Sequence, residues 1–170
     1  VETNVWTTIG GGPDYRLMSG DVIDGILYIV GGDNSGVTAD LWSYDPATNT
    51  WTSLTSMPTA RASAVSGVLD GKMYVAGGFD GSGLVDELEV YDPATDSWES
   101  KASMPVAGAY GTAGVIDGIL YVTALNAGSG WDMHVYAYDP VSDTWSTENL
   151  QFQVERFRAA GAVAGNRLYI

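Results

Sequence analysis

An all-β fold of repeated four-stranded antiparallel sheets is predicted by three observations. The phrase YDPATNTW at 44–51 returns as YDPATDSW at 91–98 and as YDPVSDTW at 138–145, at a constant interval of 47 residues. Trp6, Trp51, Trp98 and Trp145 keep nearly the same interval, as do Tyr28, Tyr74, Tyr121 and Tyr169. No window carries helical periodicity, while turn signals and short apolar runs recur in each copy.

The second copy shows how one unit is built. ASAVSGVL (62–69) is an apolar run of small residues and reads as a buried strand a. The Asp-Gly that follows at 70–71 is the strongest short hairpin signal, because a type I′ turn needs positive φ. KMYVAGG (72–78) is strand b, and its closing glycines permit a backbone shape that other residues resist. FDGSGLVD (79–86) is a loop, and ELEVYD (87–92) alternates apolar and polar residues as a half-buried strand c does. PATDS (93–97) is a Pro/Asp turn leading into strand d at WESK (98–101) and the linker ASMP.

Four antiparallel strands in every unit of about 45–50 residues match the blade of a β-propeller. One blade cannot cover both its faces and must stack on neighbours. The repeated Trp is expected to be largely buried between blades, where its area is worth a few kcal/mol. The expected layout is a terminal d strand in 1–12, blades at 13–58, 59–105 and 106–150, and the first two strands of a fourth at 151–170.

The combination of Gly pairs at 31–32 and 77–78, the tyrosines before them, VYDP at 90–93 and the Trp after each Tyr-Asp resembles the kelch repeat over essentially the whole chain. It implies a kelch-type β-propeller fragment, with three complete four-stranded antiparallel blades and partial blades at both ends. The third copy departs from the pattern, with Ala124 and Leu125 in place of the Gly pair.

Composition narrows the function. The 170 residues carry a net charge of −14, which phosphate backbones and anionic membrane surfaces repel. No apolar run approaches the ~18 residues of a membrane span. Cys is absent, which removes disulfides, thiolate metal sites and a thiol nucleophile. One enzyme class that the resemblance to the kelch repeat implies is a copper radical oxidase, which needs a Tyr–Cys cross-link and histidine ligands. Zero Cys and one His, His134, exclude it. His134 itself reads as a catalytic base or as an outward residue of strand c, and no Ser–His–Asp set can be assembled around it.

Strands alternate in direction, so a–b and c–d turns share one face of the ring and b–c and d–a loops share the other. The second set is longer and more variable, and variable loops on a rigid scaffold carry recognition. Of the seven cations, Arg61 and Arg156 share a repeat position just before strand a, Arg16 falls there with a one-residue gap, and Gly108 holds it in the third copy. Two readings stand for this Arg: an anion-binding rim, or a repeat element tying one blade to the next. Asp33, Asn34, Asp80 and Trp131 lie in the b–c loops and complete the candidate ligand-binding set. Asp33, Asp80 and Asp132 recur in the b–c loops, but their spacing lacks the dense carboxylate pattern of a calcium loop, so no metal and no cofactor is expected.

The favoured reading is a non-enzymatic module recognising a protein or carbohydrate through the b–c/d–a face. The alternative is a fragment of a carbohydrate-active enzyme such as a sialic acid epimerase, where Arg16, Arg61 and Arg156 would hold a sugar carboxylate. The style of the repeats suggests an extracellular or envelope protein of a bacterium. TNVW at 3–6 matches TNTW at 48–51, so both ends fall inside the repeat. A partial propeller with exposed blade faces is expected to self-associate, in the simplest case as a two-fold dimer.

Overall fold

The computed structural model describes residues 9–126, 132–148, 161–163 and 167–169. Three four-stranded antiparallel sheets follow one another along the chain, each a simple meander. The first holds β1 (Ser19–Ile23), β2 (Ile26–Val30), β3 (Leu41–Asp45) and β4 (Thr50–Leu54). The second holds β5 (Val65–Leu69), β6 (Lys72–Phe79), β7 (Leu84–Asp92) and β8 (Ser97–Lys101). The third holds β9 (Ala109–Ile116), β10 (Ile119–Asn126), β11 (Asp132–Asp139) and β12 (Thr144–Glu148). A two-stranded ladder, β13 (Ala162–Val163) with β14 (Leu168–Tyr169), begins the next unit beside β9. The terminal d strand expected within 1–12 falls mainly outside the described residues.

The hairpins form where the sequence places them. Asp24, Asp70 and Asp117 hold φ near 50°, each before a glycine at positive φ. Asp tolerates that left-handed region better than most residues, and the resulting twist matches that of the flanking strands.

The apolar core lies between sheets. Ile23, Val30 and Leu41 of the first pack on Met73, Val75 and Tyr91 of the second. Val65, Leu69, Tyr74, Leu88 and Val90 of the second pack on Leu120, Val122, Tyr136 and Tyr138 of the third. The inner strands β1, β5 and β9 stand side by side. The expectation that the repeated Trp is largely buried is met only in part: Trp51, Trp98 and Trp145 are half-buried, and Trp6 lies outside the described residues. The reason is register. Each Trp on the outermost strand sits directly opposite a Tyr, as Tyr44–Trp51, Tyr91–Trp98 and Tyr138–Trp145, with rings 5.0, 5.2 and 5.0 Å apart. The Tyr takes the interior place, 7%, 1% and 0% exposed, and the Trp closes the edge over it.

Candidate functional site

The phrase YDPxxDxW is a latch between blades. The hydroxyl of Tyr91 donates to Asp96 at 2.8 Å, and Asp96 also accepts from the backbone N–H and the hydroxyl of Thr55, both at 3.0 Å. Trp98 Nε1 donates back to the Thr55 carbonyl at 2.8 Å. The third blade repeats this: Tyr138 donates to Asp143, Asp143 accepts from Ala102 N–H, and Trp145 Nε1 donates to Ala102 O. Backbone donors first, with the Tyr hydroxyl, hold Asp96 below the usual carboxylate range; for Asp143 the Tyr hydroxyl is the larger cause. Asp96 and Asp143 are therefore structural, their carboxylates committed to the joint between blades.

The Gly pairs make the second joint, on the b–c/d–a face. Gly32 N–H donates to the Arg61 carbonyl at 3.0 Å, and Gly78 N–H donates to Gly108 O at 2.8 Å. The first glycine of each pair, Gly31 or Gly77, has φ of 64° or 60°, and an added Cβ would strike that same carbonyl of the next blade. In the third blade β10 instead runs straight on through Ala124 and Leu125, with a bulge between Thr123 and Leu125.

Within each blade, backbone pairing with the residue after the Gly pair fixes the register of the residues before strand a, and it moves Arg16 off the position of Arg61. Arg16 exchanges backbone bonds with Asp33 as Ala62 does with Phe79. Tyr15, not Arg16, therefore occupies the position of Arg61, and no gap is needed. A one-residue shift reverses the side on which a side chain projects. Arg16 is accordingly 78% exposed and 3.7 Å from the Asp33 carboxylate. Arg61 is 0% exposed, with Nη1 2.8 Å from Glu89 Oε2 and Nη2 donating to Val75 O at 3.1 Å. Arg61 is thus not a rim residue but an interior one. Glu89 on β7 is what makes this possible, since a buried guanidinium persists only where a carboxylate meets it. At the same position of the first blade stands the half-buried Tyr15, whose hydroxyl donates to Asp40 at 2.6 Å.

Two positions further along, Leu17, Ser63 and Tyr110 share one place in the three repeats and one strained conformation, with φ of 59°, 55° and 59°. Their backbones link the blades: Ser63 N–H donates to Leu17 O at 2.8 Å and Tyr110 N–H to Ser63 O at 3.1 Å. Left-handed non-glycine residues cost about 1–3 kcal/mol each and collect at functional sites. Ser63 is 8% exposed, and its hydroxyl has no partner. Nothing in the local sequence announces this series, because Leu, Ser and Tyr are not residues that favour positive φ.

The remaining candidates divide. Asn34 is exposed beside Asp33 on the first b–c loop. Asp80 is committed to its own loop: one oxygen accepts from Ser82 N–H, Ser82 hydroxyl and Gly83 N–H, which holds the carboxyl low. Arg156 and Trp131 lie outside the described residues. Among the described residues no group of three or more His, Cys, Asp or Glu could hold a metal ion.

A family model described as the FKB95 kelch-repeats domain matches residues 18–170. The chain belongs to this kelch-repeat family. Similar curated proteins include an F-box/kelch-repeat protein of Arabidopsis thaliana, 42% identical over 57 residues, covering 33% of this chain and 12% of that protein. Kelch-like ECH-associated protein 1A of Danio rerio is 38% identical over 82 residues, covering 44% of this chain and 14% of that one. An N-acetylneuraminate epimerase of Shigella sonnei is 40% identical over 83 residues, covering 43% and 22%. The chain thus spans only a small part of these relatives. The solved structure of YjhT superposes with a TM-score of 0.76 at 21% identity, over 91% of this chain and 57% of that one, a likeness of fold. In this kelch domain, then, the repeated Tyr, Asp, Trp and Gly residues are joints, and what differs between blades gathers at the entrance to the inner strands.

Proposed function

We propose that this kelch domain is an interaction module whose ligand engages the b–c/d–a face where the inner strands begin. The observation that carries the reading is the hydroxyl of Ser63, buried and without a partner between the strained Leu17 and Tyr110. Buried polar groups are nearly always paired, so an unpaired one at a loop face is a place for a ligand to complete. Arg16 stands exposed at the same level, and its 3.7 Å contact with Asp33 is long enough to be exchanged for a ligand carboxylate. Arg61 supports this face from within. Asp33, Asn34 and Asp80 shape the rim, and Arg156 and Trp131 belong to the reading by sequence position alone. The ligand is a protein or a carbohydrate carrying a carboxylate.

A carbohydrate-active enzyme is the second reading, favoured by the similarity over 83 residues to an N-acetylneuraminate epimerase. Self-association is a further part of the proposal. Val22, facing away from the second blade, is 59% exposed, whereas Val68 and Val115 at the same repeat position are half-buried against a neighbour. Calorimetric titration with an acidic peptide and with N-acetylneuraminate separates the ligand classes. Binding weakened by Arg16→Ala and Ser63→Ala supports the rim, and binding that both variants retain unchanged sinks it. Turnover of N-acetylneuraminate would select the enzymatic reading, and light scattering reports the oligomeric state.

A further inference from the structure

On the opposite face of the ring, a groove of about 380 Å³ lies between the turns of the first two blades. Its floor is Ile23, Ile26 and Tyr28, and its rim is Asp24, Asp70, Lys72 and Asp92. Asp24 and Asp70 stand in the two-residue a–b turns, each at φ of 50°, so both carboxylates project from tight hairpins. Neither forms a side-chain hydrogen bond or ion pair among the described residues. Lys72, by contrast, is consumed by Asp92, at 2.9 Å.

We infer that this groove receives a basic side chain, lysine or arginine, presented by a protein partner. The apolar and aromatic floor suits the methylene stem of such a side chain, and the two unpaired carboxylates suit its charged head. Three carboxylates against one ammonium leave the groove negative, within a chain whose net charge of −14 steers cations toward it. Lys72 acts as the built-in competitor: it neutralises Asp92 and leaves only Asp24 and Asp70 free. The third repeat carries Ile119 where the second carries Lys72, so an apolar residue is compatible with the strand at that position. The inference is independent of the loop-face reading, since no residue is shared between the two.

The test is an amide NMR titration of the 170-residue chain with acetyl-arginine-amide and acetyl-lysine-amide. Saturable shifts are expected at Gly25, Gly71 and Ala94 and not at Gly32 or Gly78. The double variant Asp24→Asn/Asp70→Asn keeps the hairpins, because Asn-Gly serves a type I′ turn as well as Asp-Gly. It should weaken binding by at least about tenfold, as the loss of two charge-assisted contacts implies. Lys72→Ile frees Asp92 and should strengthen binding several-fold. Shifts that do not saturate, that spread alike over the whole acidic surface, or that persist undiminished in the double variant overturn the proposal.

Discussion

Arg61 Nη1 lies 2.8 Å from Glu89 Oε2 with both side chains sealed from water, at 0% and 2% exposure. Desolvation pulls the guanidinium pKa down, and Glu89 opposes that pull. A pair of this kind contributes little when replaced whole and costs much when halved. Glu89→Ala should destabilise the domain by about 3–5 kcal/mol, because it strands a buried cation. Replacing both, as Arg61→Met with Glu89→Leu, should recover most of that loss. Urea midpoints of the two variants decide it, and equal losses would show that packing rather than charge holds the site.

The inter-blade latch predicts acid sensitivity with a definite sign. Asp96 and Asp143 are held below the ordinary carboxylate range by their donors. A depressed pKa contributes stability that is present above the unfolded value of about 3.9 and is lost as pH falls through the folded value. Stability should therefore drop in the acid range below about pH 4. Asp96→Asn, which imitates Asn49 of the first blade, should flatten that drop and leave the fold intact. An unchanged pH profile would remove Asp96 from the account.

Asp21 predicts the opposite sign. It stands between the first two blades where the later repeats have Gly67 and Gly114, and burial, opposed only in part by Ser66, raises its pKa. A raised carboxyl favours folding below the unfolded pKa, and the benefit is lost as pH rises through the folded value. Asp21→Asn should be neutral or stabilising at neutral pH, by up to about 1 kcal/mol after allowing for partial exposure. That advantage should vanish in acid. Thermal melts at two pH values check it, and a variant that loses stability at neutral pH would contradict the desolvation argument.

Gly31→Ala and Gly77→Ala should each cost at least about 1–3 kcal/mol from conformation alone. The collision with the carbonyl of Arg61 or of Gly108 adds to it. Ala124→Gly in the third blade should bring no matching gain, since Ala124 lies within β10 and is not one of the left-handed residues. Denaturant midpoints of the three variants give the comparison.

The sequence by itself determined the blade. Tyr, Asp-Pro, Asp, Trp and Gly-Gly at constant intervals dictate hairpins, strand faces and stacking, because each acts through turn geometry or through a neighbour at fixed register. It also placed the variable loops on one face. Only the tertiary structure decided that Arg61 points inward while Arg16 points out, because the register before strand a is set by the backbone pairs Arg16–Asp33 and Ala62–Phe79 within each blade, and a one-residue shift reverses a side chain. The half-burial of the Trp rings was decided there too, since a Tyr on the facing strand already fills the interior. Leu17, Ser63 and Tyr110 were illegible for the same reason: their left-handed backbone is imposed by contacts between blades, against the preference of the residues themselves.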